Sequence, residues 1–169
     1  WIRLRKIIRK TIFGGEKSYW NFEKIIDEES KYGFCSTFFF SAKSRFEKSA
    51  NFSFDNSYEI EVNEFRELFE LLNSKGFEIG LHSSYNAEKN TTFFEEEKNK
   101  LEQLSKRKII GNRHHFWKLG EDSDLTLFAH SNAGFKYDSS TAFNDSPGYR
   151  RGVALPYNAF DQKTSVSLS

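Results

Sequence analysis

Residues 61–75 carry hydrophobic side chains at helical spacing, and a single glycine, Gly76, separates them from a short hydrophobic run over 77–82. Glycine readily takes the left-handed conformation that ends a helix. The hydrophobic run ends at His82 and passes into small polar residues. That order is typical of a buried strand that delivers a side chain to the open edge of a sheet. The segment therefore predicts one helix–strand unit of an α/β fold.

The same alternation continues along the rest of the chain. The pattern predicts further helices over 19–32, 91–107 and about 122–133, and further strands over 34–40, 109–113 and 135–139. Alternating helices and strands are typical of parallel βαβ units. Since neither an internal repeat nor a boundary interrupts the pattern, the 169 residues predict one α/β domain over 1–169.

Composition limits the class of partner. The 25 basic and 24 acidic residues nearly cancel, so the sequence gives no bulk-charge argument for a nucleic-acid partner, and none is expected. The single cysteine, Cys35, rules out an internal disulfide framework, and its apolar neighbours predict a buried, inert thiol. No stretch reaches the roughly 20 apolar residues of a membrane span, and no signal peptide is recognisable.

The first residues of the chain have a character of their own. Residues 2–13 place an apolar stripe on a basic helix. Such a helix can lie on an anionic membrane surface, although it can equally cover the domain or act as a lid near a polyanionic substrate. The chain begins at Trp1 and contains no methionine, which predicts that the native start has been removed.

Three predicted strands end in side chains that can do chemistry. They are His82 after strand 77–82, then Arg113, His114 and His115 after strand 109–113, and Asp138 in strand 135–139. Because parallel strands present their carboxyl ends at one edge, these side chains are expected to gather there. Histidine nitrogens suit zinc, and a catalytic zinc needs about three protein ligands and one open position. The pattern predicts a hydrolytic metal site.

Each of these residues also has a structural alternative. A histidine at a strand end, such as His82, is often held only by hydrogen bonds. Alternation along a strand sends His114 and His115 to opposite sides, so at most one of them is expected to be a ligand. Arg113 has the alternative of pairing with Asp138 or another carboxylate.

Three segments in order, EIGLHS at 78–83, GNR at 111–113 and GFKYDSS at 134–140, resemble the polysaccharide deacetylase family of carbohydrate esterases. The strand at 36–40 is similar to the family's second strand, and the resemblance covers about residues 20–160. It looks most like the divergent branch found among surface-polysaccharide genes. The resemblance implies a partial (β/α) barrel, with about seven strands when complete. It also implies a chain truncated at both ends, from the bacterial cytoplasm or cell envelope.

The resemblance implies a metal-dependent hydrolase that removes acetyl groups from a polysaccharide or glycan precursor. In the family, an aspartate pair on the first strand supplies a general base and a metal ligand. Two histidines four residues apart complete the metal site, and an arginine orients the base. Carried over to this sequence, His82 becomes a ligand of a divalent metal, most suitably zinc, and Arg113 and Asp138 become catalytic residues.

The sequence departs from this pattern at several positions. The family's second histidine falls on Asn86, and the aspartate pair would lie upstream of Trp1. His115 is the expected substitute ligand, because it follows Arg113 at the next strand-end position that faces the same way. These departures motivate a second hypothesis, a catalytically inactive carbohydrate-binding module on the same barrel.

Four polar residues are assigned to substrate binding: Tyr85, Asn86, Asp145 and Arg150. The last two belong to a turn-rich loop at 144–152 that resembles one in the divergent branch. An alternative is that this loop is held only by its own Asx turn and Pro147–Gly148. The expected partner is an acetylated polysaccharide or oligosaccharide.

Overall fold

A computed structural model describes residues 20–47, 50–143, 145–161 and 166–167 of the chain. The chain divides into two units, residues 1–34 and 35–169. The described part of the first unit contains helix α1 (Phe22–Lys31), which confirms the helix predicted over 19–32. The predicted basic helix at 2–13, with its membrane contact, lies outside the described residues.

The second unit alternates strands and helices. They are β1 (Thr37–Phe40), α2 (Asn63–Lys75), β2 (Glu78–Leu81), α3 (Thr92–Ser105), β3 (Gly111–Asn112), α4 (Ser123–Asn132) and β4 (Tyr137–Asp138). Short 3-10 helices, Ala87–Lys89 and His115–Trp117, follow β2 and β3. Near the end, β5 (Phe160–Asp161) and β6 (Val166–Ser167) form an antiparallel pair.

The first four strands form one parallel sheet in the order β1-β2-β3-β4. Within this sheet each strand lies beside the next one along the chain. Leu81 pairs with Asn112, which in turn pairs with Asp138. The α/β prediction is therefore confirmed, and the exits of β2, β3 and β4 lie side by side at one edge.

Helix α2 shows how the sequence produces this arrangement. Its inward face buries Phe65, Leu68, Phe69 and Leu72, the positions at helical spacing in the sequence. Phe69 meets Phe40 of β1 edge to face, with ring centroids 5.0 Å apart. Gly76 then takes φ 79° and ends the helix, and β2 begins two residues later. Each fully buried Leu or Phe contributes about 1.5–3 kcal/mol through burial.

The strands are shorter than predicted. β1 begins at Thr37 rather than at residue 34, and only Phe40 of its four residues is buried. Cys35 precedes the strand and is exposed, so the buried-thiol prediction is wrong. In β3, Gly111 has no room for a side chain, because a Cβ there would lie 2.2 Å from the ring of Tyr137. No helix within the described ranges is long and apolar enough to cross a bilayer.

Candidate functional site

Two histidines meet at the exits of β2 and β3. The backbone hydrogen-bond ladder continues past both strands, since His82 N–H donates to the Phe40 carbonyl at 2.8 Å and His115 N–H donates to the Ser83 carbonyl at 3.0 Å. The two imidazoles are brought together as a result. Nε2 of His82 lies 2.7 Å from Nδ1 of His115, and we call these two residues the histidine pair.

The outer nitrogen of each ring faces a backbone carbonyl. Nδ1 of His82 lies 2.7 Å from the Arg113 oxygen, and Nε2 of His115 lies 2.9 Å from the Phe54 oxygen. A carbonyl can only accept a hydrogen bond, so both outer nitrogens carry the proton. In neutral rings the two inner nitrogens are then left with lone pairs directed at each other. At 2.7 Å the two nitrogens are at hydrogen-bond distance, so one added proton would satisfy the arrangement as it stands. A zinc ion about 2.0–2.1 Å from each nitrogen would require the two rings to move further apart.

The pKa of His82 favours a neutral ring. Burial, followed by the neighbouring His115, lowers it from 6.5 to about 4, while the hydrogen bond to Arg113 opposes the shift. His82 is therefore uncharged at pH 7 and offers a lone pair at Nε2. A backbone carbonyl that accepts a hydrogen bond from the other ring nitrogen, and so fixes the tautomer of a ligating histidine, is a common arrangement at metal sites.

The donor set fits a divalent metal in part. Two imidazole nitrogens with fixed tautomers are suitable zinc ligands. Within the part of the chain that the structure describes, however, no group of three or more His, Cys, Asp or Glu side chains could hold a metal ion. The described residues thus supply two donors of the three that a catalytic zinc site needs.

Arg113 does not pair with Asp138, contrary to one alternative drawn from the sequence. Its Nε donates to Ser139 Oγ at 2.9 Å, and its guanidinium lies 4.5 Å from the centre of the Phe39 ring. The side chain is exposed at the same sheet edge as the histidine pair. It is therefore held by a hydroxyl and an aromatic ring rather than by a carboxylate.

Asp138 belongs instead to a buried polar network. Its carboxylate accepts hydrogen bonds from Asn112 Nδ2 at 3.1 Å and from Ser140 N and Oγ at 2.7 and 2.9 Å, and it lies 3.2 Å from His130 Nδ1. Although burial raises the pKa of Asp138, the contacts with His130 and Ser140 outweigh it and hold the pKa below its usual value. These contacts connect β3, β4 and α4 behind the sheet edge.

His114 is buried in different surroundings from its neighbour His115. Its Nδ1–H donates to the His115 carbonyl at 3.0 Å, its backbone N–H donates to Ser140 Oγ at 2.7 Å, and its ring packs against Phe94. Burial is the main reason that the pKa of His114 falls from 6.5 to about 4. Only His115 of the two contacts His82.

We expect the free energy of unfolding, measured by urea titration with a chelator present, to fall as the pH drops from about 6.5 to about 4. In that window the unfolded chain protonates both His114 and His82, whereas the folded chain keeps both neutral. The stability is fully present above about pH 6.5, the pKa in the unfolded chain, and is lost as the pH falls towards the folded pKa. Each shift from 6.5 to about 4 corresponds to about 3 kcal/mol.

The matched variant for this prediction is His114→Asn, which keeps an N–H donor for the His115 carbonyl and cannot titrate. Its stability is expected to be lower overall, and its pH dependence to be reduced by about half across the same window, because His82 still titrates there. Asp138 does not interfere, because its pKa is depressed and its contribution is lost only at lower pH. A variant with the same slope as the wild type would contradict the assignment to His114.

Two of the four residues predicted to bind substrate line one groove of the structure, and the other two do not. Tyr85 and Arg150 both line a groove of about 1150 Å³ between the Ala87–Lys89 turn, α3 and α4. Arg150 Nη1 also donates to the Trp117 carbonyl at 2.9 Å. Asn86 stands at the start of the 3-10 turn, and Asp145 is exposed and accepts a hydrogen bond from Ser146. The structure brings Tyr85 and Arg150 together, and it gives Asn86 and Asp145 no comparable place on the groove.

Sequence analysis missed three buried charges that hold the loops of the site. Asp55 accepts a hydrogen bond from the Tyr85 backbone N–H at 2.8 Å, and Glu97 accepts both Ser84 N–H and Oγ–H. Lys43 lies 3.4 Å from Glu97. Of these three residues, only Glu97 could have been recognised from the sequence. It lies on the buried face of its helix with Phe94 and Leu101, where a charged side chain needs a partner.

No protein-family model, curated protein or solved structure matches this chain.

Proposed function

We propose that this chain is part of a metal-dependent hydrolase that removes acetyl groups from a polysaccharide or glycan precursor, with His82 and His115 as two of the metal ligands. The observation that carries the proposal is the histidine pair, whose outer nitrogens are bound by backbone carbonyls while the inner nitrogens face each other at 2.7 Å. The two fixed lone pairs lie close enough to serve one metal ion once the rings separate from hydrogen-bond distance to the spacing that two Zn–N bonds of about 2.0–2.1 Å require.

The sheet supports this proposal at the level of the fold. A parallel sheet in which each strand adds beside the previous one, in the order β1-β2-β3-β4, is how a (β/α) barrel is built. In such barrels the site lies at the carboxyl ends of the strands, where His82 and His115 lie. We therefore propose that the sheet is part of the incomplete barrel of the polysaccharide deacetylase type.

The reaction would add water across the C–N bond of an acetamide, or the C–O bond of an acetyl ester, and release acetate. A bound zinc ion would lower the pKa of a water to about 7 and polarise the carbonyl. His82 and His115 would hold this ion, with their tautomers fixed by the Arg113 and Phe54 carbonyls. In the family that the sequence resembles, an aspartate pair supplies the third donor and the general base.

Arg113 and Asp138 have different roles in this proposal. The exposed guanidinium of Arg113, held by Ser139 and Phe39, would orient the carboxylate base. Asp138 is buried and already accepts hydrogen bonds from Asn112 and Ser140. It would therefore act as a positioning residue that fixes the exits of β3 and β4.

The test is acetate release by the full-length protein from penta-N-acetylchitopentaose and from O-acetylated xylan, before and after metal chelation. We expect release that chelation stops and added zinc restores. If the zinc-bound protein releases no acetate from either substrate, the proposal that it is an enzyme is wrong. The second candidate, a binding module without catalysis, is favoured by the absence of a third metal donor among the described residues. It predicts glycan binding with no acetate release.

A further inference from the structure

Beside the histidine pair, three aromatic side chains from three different segments form a cluster. The ring of Phe54 stacks on that of Tyr85 with centroids 4.3 Å apart at 20°. Phe116 meets both rings edge to face, at 5.3 and 5.8 Å. Phe54 and Phe116 remain 43% and 50% exposed, so this cluster, which we call the platform, presents aromatic surface to solvent.

The platform is tied directly to the candidate site. The carbonyl of Phe54 accepts the hydrogen bond from His115 Nε2, so one hydrogen bond both fixes the tautomer of His115 and anchors Phe54. The buried carboxylate of Asp55 accepts the backbone N–H of Tyr85 and joins the two loops. Phe116 directly follows His115, and their ring centroids are 4.7 Å apart. The rings are therefore held rigidly at the histidine pair.

The backbone under the third ring is strained. Phe116 and Trp117 both have left-handed φ angles, 57° and 51°, which bulky residues rarely adopt. The turn is held by a hydrogen bond from Trp117 N–H to the His114 carbonyl, and by Arg150, which donates to the Trp117 carbonyl at 2.9 Å. Strain that the surroundings maintain is a feature of functional sites. Here it places a half-exposed aromatic ring beside the two histidines.

The surroundings of the platform are polar and of mixed charge. The hydroxyl of Tyr85 has no hydrogen-bond partner among the described residues. Lys118 lies 4.1 Å from the centre of the Tyr85 ring, and it is neutralised by an ion pair with Glu88. The groove that Tyr85 lines has both polar side chains, among them Lys89, Thr91 and Asn132, and apolar ones, among them Leu119 and Phe128. Such a mixed lining suits a sugar, whereas the carboxylates of Glu88, Glu95, Glu121 and Asp122 would repel a polyanion.

We propose that the platform of Phe54, Tyr85 and Phe116 is a stacking subsite for a neutral pyranose ring of the glycan, next to the sugar that reaches the histidine pair. The apolar C–H face of a pyranose suits an exposed aromatic ring, and its hydroxyls suit the Tyr85 hydroxyl and the polar groove. This inference rests on the proposed function for its location. It adds that recognition is directed to the sugar ring rather than to the acetyl group.

The test is binding of two pentasaccharides, penta-N-acetylchitopentaose and cellopentaose, to the full-length protein by saturation-transfer NMR and calorimetry. Both probes have the same ring geometry, but only the first carries acetamides. Phe54→Ala and Phe116→Ala are each expected to raise the Kd for both probes by roughly three- to tenfold. Phe116→Trp is expected to bind as the wild type does. The matched control is Phe52→Ala, because Phe52 is also exposed but packs against Phe46 and Arg45.

Unchanged Kd values in folded Phe54→Ala and Phe116→Ala proteins, or no binding of either probe to the wild type at millimolar concentration, would overturn the platform. Binding that also weakens in Phe52→Ala would do the same. The outcome is separable from that of the proposed function. Weakened binding in the platform variants without any acetate release would keep the platform and reject the enzyme. Zinc-dependent acetate release with an unchanged KM in both Phe54→Ala and Phe116→Ala would keep the enzyme and reject the platform.

Discussion

Zinc affinity of the full-length protein is expected to fall at least about a hundredfold when either His82 or His115 is replaced by alanine. Even the loss of a residue that only orients a ligand typically costs about 10–100-fold in metal affinity, and the loss of a ligand should cost more. The two inner nitrogens lie 2.7 Å apart, so each variant removes one half of a single converging pair. Competition against a chromophoric chelator would measure the zinc affinity. The absorption of bound Co²⁺ would report the coordination geometry independently of activity.

The control for this measurement is His114→Asn. His114 adjoins His115 in the chain, but it is buried against Phe94 and does not contact His82. Its replacement should lower stability and leave the zinc affinity within a few-fold of wild type. Wild-type affinity in His82→Ala, or an equal loss in His114→Asn, would contradict the assignment of the histidine pair as ligands.

The sequence was sufficient to predict the elements with strong periodicity. Helix α2, with Gly76 at its end, lies within two residues of its predicted bounds, because one apolar stripe and one left-handed glycine determine both its face and its exit. Parallel βαβ order then brought His82 and His115 to the same edge. His115 itself lies in the 3-10 helix after β3, so its contact with His82 depends on the turn that follows the strand rather than on strand alternation.

The remaining parts of the site depend on contacts that no local pattern records. The segment between β1 and α2 lies outside every predicted helix and strand, yet it supplies Asp55 and the carbonyl of Phe54, which accepts a hydrogen bond from His115. His130 lies on α4 and reaches Asp138 only after the sheet has formed. Hydrogen bonds between residues far apart in the chain are set by tertiary packing, so a sequence without a structure cannot assign them.

The first turn after His82 depends on a buried charge, and we expect Glu97→Gln to lower the free energy of unfolding by about 3–5 kcal/mol. The carboxylate of Glu97 accepts both the backbone N–H and the hydroxyl of Ser84, at 2.8 and 2.5 Å. It also lies 3.4 Å from the Lys43 ammonium, with both side chains at most 5% exposed. The variant leaves this ammonium buried and uncompensated above the Phe93 ring.

Urea unfolding at pH 7 would measure the loss, and the chain provides a matched control. Lys106 and Glu70 form an exposed ion pair at 3.9 Å, with side chains 80% and 72% exposed. Glu70→Gln is therefore expected to cost less than about 1 kcal/mol. A similar loss in both variants would contradict a special role for burial.

The double variant Lys43→Met/Glu97→Gln separates the two ways in which Glu97 could stabilise the chain. If the main cost of Glu97→Gln is the uncompensated ammonium, then removing that charge should recover much of the stability. If the cost comes instead from the lost hydrogen bonds to Ser84, the double variant should be no more stable than Glu97→Gln. Burial raises the pKa of Glu97 against the opposing effects of Ser84 and Lys43, so a charge on this carboxylate costs free energy. We therefore expect the double variant to recover much of the free energy of unfolding. In that case, the buried pair of Lys43 and Glu97 fixes the conformation of the turn between His82 and Tyr85 and is not a net source of stability.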